Sequence, residues 1–255
     1  MDEAALREDM LDGLEYALDR PVDERVVDAM RTVPRHEFVS EAPYANREGE
    51  AYGARVLAPA TVARLMEALS PAEGDDVLLV GAGVGYTAAV LAELAGARHI
   101  HAVDIARPAV YAARENLAKA GYDAVLVDRR DGSDGLPEYA PFDRVLVEAS
   151  ALRPPPTLLA QLGPDGRLVL PLGRAERTLT VVEHDASEPR VVGEFGPLAL
   201  PPLLVDGEQA GAGTRNRTHR EDREFATQGY FAKSGWEQEW IDWDDRLDSG
   251  RGHRR

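Results

Sequence analysis

The chain has 255 residues, 44% of them hydrophobic, which is enough for one large domain with a core of its own. Its 45 acidic residues outnumber 29 basic ones and give a formal net charge of −16, which disfavours broad binding to nucleic-acid phosphates. Cysteine is absent, so disulfides, thiolate chemistry and cysteine-held zinc are excluded.

The remaining composition favours a cytoplasmic protein with an acidic, solvated surface suited to high salt, where self-repulsion is screened. The N-terminal stretch is acidic and lacks the basic start and apolar middle of a signal peptide. No segment approaches the roughly 18 uninterrupted apolar residues of a membrane span. The six histidines are scattered, and we therefore expect no metal site.

Residues 1–70 are predicted to form a helical region. Apolar residues recur at helical spacing over 3–18, 23–32 and 58–69. The stretch 33–44, "VPRHEFVSEAPY", has no such period and is predicted to be an irregular connector.

From residue 76 short apolar runs alternate with helical stretches. We expect strands at 77–80, 100–103, 124–127, 144–147 and 168–170, and helices at 87–95, 108–120 and 156–162. Strands that are apolar throughout and separated by helices indicate a parallel sheet covered on both faces. Two further strands, 178–184 and 190–195, follow each other closely and predict an antiparallel hairpin at one sheet edge. The fold class is therefore α/β, with a mostly parallel Rossmann-like sheet over 71–205.

Beyond residue 205 the composition becomes rich in charged residues, glycine and threonine. We therefore divide the chain into a domain at 1–205 and a charged linker and tail at 206–255. The tail holds all three tryptophans, Trp236, Trp240 and Trp243, at the spacing of one helical face. This face is interpreted either as an amphipathic helix packed on the domain or as a docking site for an unknown partner.

The glycine turn after the first strand of the sheet, "DVLLVGAGVGYT" at 76–87, is the first sign of a ligand site. Gly81, Gly83 and Gly85 let backbone approach a ligand closely and adopt unusual φ. The turn lacks the Gly-Lys-Ser/Thr ending of a triphosphate loop, which excludes that ligand. It also misses the dinucleotide pattern, because Tyr86 stands where the third glycine is expected.

Two aspartates after the next strands are candidates to bind an adenosine. Asp104 ends the second strand, where a carboxylate can accept hydrogen bonds from both ribose hydroxyls. Asp131, followed by Gly132, ends the third strand and either meets an adenine amino group or forms an ordinary turn. These features predict a pocket that binds adenosine but has no phosphate-binding motif, and the ligand that best fits such a pocket is S-adenosylmethionine.

Several segments resemble the protein-L-isoaspartate (D-aspartate) O-methyltransferase family. These are "VPRHEFV" (33–39), "AYGARVLAPATVARLMEAL" (51–69), "VGAGVGYTAAVLAEL" (80–94) and "DGSDGLPEYAPFDR" (131–144), within a likeness that covers about residues 5–200. The resemblance implies a seven-stranded methyltransferase sheet with a helical region shaping the substrate pocket. It also implies methyl transfer from S-adenosylmethionine to the carboxylate of isoaspartyl residues in damaged proteins, which starts their repair.

The resemblance and the glycine turn together assign the cofactor site. The expected cofactor-binding residues are Gly81, Ala82, Gly83, Gly85, Tyr86, Asp104, Ile105, Asp131 and Gly132.

The sequence departs from the family where the acceptor is expected. The family's active-site serine falls on Leu57, its following histidine on Ala60, and the threonine usual after the fourth strand on Glu148. Arg55 is a candidate to hold the acceptor carboxylate through a bidentate pair, or is a surface arginine beside a packed leucine. Glu148 is a candidate to orient or deprotonate an amine or hydroxyl, or is paired with Arg153.

These departures leave two other functions open. One is a related methyltransferase that acts on an amine, a nucleobase or another acid through Arg55 and Glu148. The other is a non-catalytic module that binds S-adenosylmethionine and docks a partner through its tail. For methyl transfer to isoaspartyl residues, the candidate catalytic residues are Arg55, the substituted Leu57 position and Glu148.

Overall fold

The computed structural model describes residues 3–174, 176–184 and 189–203. The α-helices in these residues are α1 (Glu3–Leu18), α2 (Glu24–Thr32), α3 (Pro59–Leu69), α4 (Tyr86–Ala95), α5 (Arg107–Lys119) and α6 (Pro156–Leu159), which is a single turn. Their starts follow simple chemistry: the Asp23 carboxylate accepts the Arg25 N–H at 2.9 Å at the start of α2. Proline stands at the start of α3, where its missing N–H costs nothing.

Two sheets are present in the described chain. A two-stranded hairpin consists of β1 (Gly49–Ala51) and β2 (Ala54–Val56). The main sheet contains β3 (Val77–Val80), β4 (Ile100–Asp104), β5 (Leu126–Arg129), β6 (Phe142–Val147), β7 (Leu162–Leu172), β8 (Thr178–His184) and β9 (Pro189–Pro197).

The main sheet has the order β5-β4-β3-β6-β7-β8-β9. Strands β3 to β7 pair in parallel, whereas β8 and β9 add antiparallel strands at one edge. The chain leaves β3 in one direction through β4 and β5, then returns to β3's other side with β6. This reversal beside β3 creates the crevice in which open α/β sheets bind ligands.

The register of the central strands aligns their carboxyl ends. Val80 of β3 lies opposite Val103 of β4 and Val147 of β6. The residues that directly follow these three valines, Gly81, Asp104 and Glu148, therefore emerge together at one sheet edge.

Alternate residues of β3 pack into two cores. Val77 and Leu79 face the core made with the helices α1 to α5, whereas Leu78 and Val80 face a smaller core that includes α6. All four side chains are buried, which is why this strand is apolar throughout.

The predicted fold class is confirmed, including the seven-stranded mixed sheet, the antiparallel edge and the N-terminal helices. Some predicted boundaries are wrong. The strand expected at 124–127 lies at Leu126–Arg129, and the helix expected over 156–162 ends at Leu159. Leu162 already pairs with Phe142 of β6, so sheet pairing ends the helix early.

The hairpin β1–β2 was not predicted. Its strands have three residues each, and its turn depends on Tyr52 (φ 54°) and Gly53 (φ 73°), both in the left-handed region. Positive φ at both central residues is the geometry of a tight hairpin turn. Two such short strands give too little alternation to be recognised from sequence.

The linker and tail at 206–255 lie outside the described residues, so the division of the chain and the tryptophan face stay predictions. Among the residues the structure describes, no helix combines the length and apolarity needed to cross a bilayer. The cytoplasmic location and the adaptation to salt also stay predictions.

We predict that Gly85→Ala lowers the free energy of unfolding by about 2–4 kcal/mol, from a left-handed backbone and overpacking. Gly85 has φ 93°, and a Cβ there would lie 3.1 Å from Leu117 Cγ and 3.2 Å from the Ala113 backbone. The matched control is Gly121→Ala, at φ 87° but without a described heavy atom within 4 Å of the added Cβ. Urea unfolding should give a loss of about 1–2 kcal/mol for the control. Equal losses for both variants would contradict the packing argument.

Candidate functional site

The glycine turn joins β3 to α4 and is fixed by backbone hydrogen bonds. The N–H groups of Gly81 and Ala82 donate to the Val103 carbonyl at 2.8 and 3.0 Å, and Gly85 N–H donates to Ala82 O at 2.9 Å. Gly81, Gly83 and Gly85 all have positive φ, at 98°, 52° and 93°. The turn therefore needs glycine at each of these positions.

Close approach gives Gly81 a second reason to be glycine, whereas a Cβ on Gly83 would make only an ordinary contact. A Cβ on Gly81 would lie 3.2 Å from the Cβ of Glu148, and a Cβ on Gly83 would lie 3.6 Å from the Arg55 carbonyl. The turn is thus packed between the end of β6 on one side and the hairpin strand β2 on the other.

Asn116 supports the turn from α5 and was missed in the sequence. Its Nδ2 donates to the Val84 carbonyl at 3.0 Å, and the side chain is buried. A buried polar side chain needs such a partner. Helical spacing places Asn116 on the inward face of α5 but does not reveal which loop it meets.

Asp104 fastens the turn to the end of β4. Its Oδ2 accepts the Gly83 N–H at 2.9 Å and its Oδ1 accepts the Ala106 N–H at 2.8 Å. Burial raises the pKa of the Asp104 carboxyl, while these backbone donors oppose the rise. A carboxylate has about four acceptor positions, so capacity for ligand hydroxyls is left. Ile105, the next predicted cofactor residue, is half-buried beside it.

Asp131 and Gly132 form a local turn at the same edge. Asp131 Oδ1 accepts the N–H and the hydroxyl of Ser133 at 2.8 and 2.7 Å. A Cβ on Gly132 would lie 2.3 Å from Val80 Cγ1, so this glycine allows the loop to pack on β3. These contacts match the ordinary turn named as the alternative, and the contact of Asp131 with adenine stays a prediction.

A cavity beside the glycine turn collects all three candidate catalytic residues. Its lining is drawn from the hairpin, α3, the turn, α4 and the end of β6: Arg55, Val56, Leu57, Val62, Ala82, Gly83, Val84, Tyr86, Thr87 and Glu148. Thr87, the second residue of α4, was not singled out as a site residue in the sequence.

Arg55 already has partners in this structure. Its guanidinium forms an ion pair with Glu48 and donates to the Ala199 carbonyl at 3.3 Å. Arg55 thus ties the hairpin to the segment after β9 while lining the cavity.

Leu57 lies on the cavity wall directly after the last residue of β2, Val56, and both side chains are buried. A buried Leu57 agrees with the packed leucine named as the alternative, and the catalytic role of this position stays a prediction.

Arg35 of the "VPRHEFV" stretch is a buried cation behind the cavity. Its Nε donates to the Pro43 carbonyl and its Nη2 to the Leu57 carbonyl, both at 2.7 Å. Its guanidinium carbon lies 4.2 Å from the ring centre of Tyr86, a cation–π contact. Burial lowers the pKa of Arg35 and raises that of Tyr86. Arg35 therefore holds the backbone of the cavity wall at Leu57.

Glu148 follows β6, and its backbone N–H donates to the Val80 carbonyl at 2.8 Å. Its Oε1 is shielded from solvent and has no hydrogen-bond partner among the described residues. The described part of the chain contains no ion pair between Glu148 and Arg153, the alternative considered from sequence. Burial raises the pKa of Glu148 to about 7; a hydrogen bond from Thr87 opposes the rise.

A family model described as protein-L-isoaspartate(D-aspartate) O-methyltransferase matches residues 9–198. The chain belongs to this family. A protein-L-isoaspartate O-methyltransferase from Methanosarcina mazei is 43% identical over 205 residues, which span 78% of this chain and 83% of that protein. The protein of the same name from Methanococcoides burtonii is 39% identical over 188 residues, or 71% of this chain and 93% of that protein.

Solved structures show the same fold. A structure titled protein-L-isoaspartate O-methyltransferase matches with a TM-score of 0.69 and 21% identity, over 86% of this chain and 70% of that chain. A Plasmodium falciparum protein, titled as a putative member of the family in complex with S-adenosyl-L-homocysteine, matches with a TM-score of 0.67 and 19% identity, over 78% and 98%. The resemblance stated from the sequence is confirmed, and the family's sheet is the one found here.

We predict that Arg35→Met lowers the free energy of unfolding by about 3 kcal/mol or more, because two buried carbonyls lose charged donors. Arg47→Met is the control, since Arg47 forms an exposed ion pair with Glu41 at 2.9 Å. Its loss should stay within about 0.5 kcal/mol in urea unfolding at the same salt concentration. A loss below 1 kcal/mol for Arg35→Met would show that this arginine does not hold the cavity wall.

Proposed function

We propose that this protein transfers a methyl group from S-adenosylmethionine to the side-chain carboxylate of L-isoaspartyl, or D-aspartyl, residues in damaged proteins, which initiates their repair. Membership of the family supports the reaction and its methyl donor. The observation that carries the proposal is the shared edge at which Gly81, Asp104 and Glu148 emerge beside one cavity.

The chain's own groups fit S-adenosylmethionine. Three glycines with positive φ shape the turn, and the Asp104 carboxylate beside it keeps acceptor capacity for ribose hydroxyls. In the proposal Gly81, Ala82, Gly83, Gly85 and Tyr86 hold the donor along the turn. Ile105, Asp131 and Gly132 lie on the adenosine side.

The reaction depends more on aligning the acceptor carboxylate with the methyl group than on chemically activating either of them. The donor supplies a methyl carbon already made electrophilic by a positive sulfonium. A lone pair of the acceptor carboxylate forms the new C–O bond, and the electrons of the broken C–S bond stay on sulfur. The negative carboxylate and positive sulfonium become a neutral ester and a neutral thioether, so no proton is released and no general base is needed. The protein's contribution is to align the two groups and exclude water.

In the proposal the acceptor enters between the hairpin and Glu148, where the cavity, about 10 Å³ in this structure, widens to admit it. Arg55 is the cation at its entrance, and an incoming carboxylate competes with Glu48 for the guanidinium. Leu57 supplies apolar wall rather than a hydrogen bond. These roles of Arg55 and Leu57 belong to the proposal.

We predict that Asp104→Ala weakens binding of S-adenosylmethionine about 10- to 100-fold, since charged hydrogen bonds are worth about 1.5–3 kcal/mol each. Isothermal calorimetry measures the affinity, and circular dichroism checks that the variant is folded. The control is Asp128→Ala, which removes a strand-end carboxylate paired with Arg114 at 3.0 Å. Unchanged affinity in a folded Asp104→Ala protein would remove the ribose assignment.

The acceptor is tested with labelled S-adenosylmethionine and two peptides of one sequence, carrying either an isoaspartyl or a normal aspartyl residue. We expect a base-labile methyl ester on the isoaspartyl peptide alone. Base-stable label on an amine or nucleobase would favour a changed acceptor. Tight donor binding without any methyl transfer would favour the non-catalytic module.

A further inference from the structure

Few polar side chains face the cavity beside the glycine turn. Its side-chain walls are largely apolar, and the polar groups among its lining residues are Arg55, Tyr86, Thr87 and Glu148. Arg55 is paired with Glu48, and the ring of Tyr86 is covered by Arg35. The Tyr86 hydroxyl and Glu148 Oε1 are both buried without a described hydrogen-bond partner, and of these two groups the carboxyl is the one that can gain a proton.

A buried carboxylate oxygen without a partner is costly when it is ionised and much less so when the group is protonated. A protonated carboxyl also gains an O–H donor, which the ionised form lacks. The acceptor in the proposed function is itself a carboxylate and needs donors. The cavity therefore contains one group that can take up a proton and share it with the substrate.

We propose that Glu148 binds the acceptor carboxylate as a neutral carboxylic acid, donating its O–H proton to the carboxylate oxygen that does not attack the methyl group. This inference rests on the proposed function, because it requires a carboxylate acceptor. It gives Glu148 the role of a positioning donor and removes the charge repulsion that an ionised glutamate would cause.

The surroundings of Glu148 support a neutral state near neutral pH. Burial raises its pKa to about 7, and the charge of Asp104 acts in the same direction. The Thr87 hydrogen bond and the charge of Arg35 lower it. Arg55, on the opposite wall, is compensated by its ion pair with Glu48.

The two substrates act on Glu148 with opposite signs. The acceptor carboxylate favours the protonated state, as when two carboxylates share one proton, and the sulfonium favours the ionised state. In the reaction the acceptor loses its negative charge, so a hydrogen bond to it is strongest before the methyl group moves. Loss of the donor should therefore raise KM for the peptide and leave kcat unchanged or higher.

The test measures KM for an isoaspartyl peptide between pH 6 and pH 9. For the native protein KM should be lowest below pH 7 and rise about tenfold per pH unit above the pKa, as the protonated fraction falls. Glu148→Gln, which donates at every pH, should keep the low KM and lose the pH dependence. Glu148→Leu should raise KM about 10- to 100-fold at pH 6.5.

Two further measurements separate this role from others. Glu115→Gln, which removes an exposed acidic charge paired with Lys119 at 2.7 Å, should leave the native pH profile unchanged. Calorimetry of the peptide binding to the protein with S-adenosylhomocysteine, in buffers of different ionisation enthalpy near pH 7.5, should show proton uptake in the native protein. Glu148→Gln should show no uptake.

A pH-independent KM in the native protein, or the same profile in Glu148→Gln, would overturn the donor role. A kcat that rises with pH and collapses in Glu148→Gln would instead make Glu148 a general base, and would also overturn it. Absence of ester at every pH would reject the proposed function itself, whereas ester formation with a flat KM rejects this inference alone.

Discussion

The packing of Gly81 against Glu148 is the contact on which the site depends. Strands β3 and β6 are adjacent and parallel, and their chains emerge side by side where the sheet order reverses. A Cβ on Gly81 would lie 3.2 Å from the Cβ of Glu148, so the glycine lets the acidic side chain stand directly beside the turn. The proposed donor pocket and acceptor cavity share this wall.

The same contact explains the electrostatics of the cavity. Glu148 and Arg35 are both buried. The charge of Arg35 lowers the pKa of Glu148, and the charge of Glu148 raises the pKa of Arg35. Arg35 uses two of its nitrogens on the carbonyls of Pro43 and Leu57, which fixes the wall formed by the hairpin. Glu148 keeps one oxygen free for a ligand. Arg35 thus holds the cavity wall, whereas the proposed role of Glu148 is to donate a hydrogen bond to the substrate as a neutral acid.

Much of the architecture follows from local sequence pattern. Short, mostly apolar runs of three or four residues separated by helical stretches predicted the parallel sheet, and the glycine turn with Asp104 predicted the edge at which it binds a ligand. The central strands are buried on both faces, so their composition alone marks them. Pattern reasoning failed at the helix expected over 156–162, which ends at Leu159 because Leu162 already pairs with Phe142 of β6.

Contacts between distant parts of the chain could not be predicted from local sequence pattern. Asn116 meets Val84 across 32 positions and Arg35 meets Leu57 across 22, and nothing local to these residues names the partner. The environment of Glu148 is of the same kind. Its position after a strand was predicted, but its buried oxygen depends on α4 and on the turn packed around it.

The most direct test of this account is a crystal structure of the protein with S-adenosylhomocysteine and an isoaspartyl peptide. We predict that the Asp104 carboxylate contacts the ribose hydroxyls, and that an oxygen of Glu148 lies within about 3 Å of the peptide's side-chain carboxylate. A nucleoside bound away from the glycine turn, or a peptide carboxylate held elsewhere while Glu148 stays unpaired, would contradict the account.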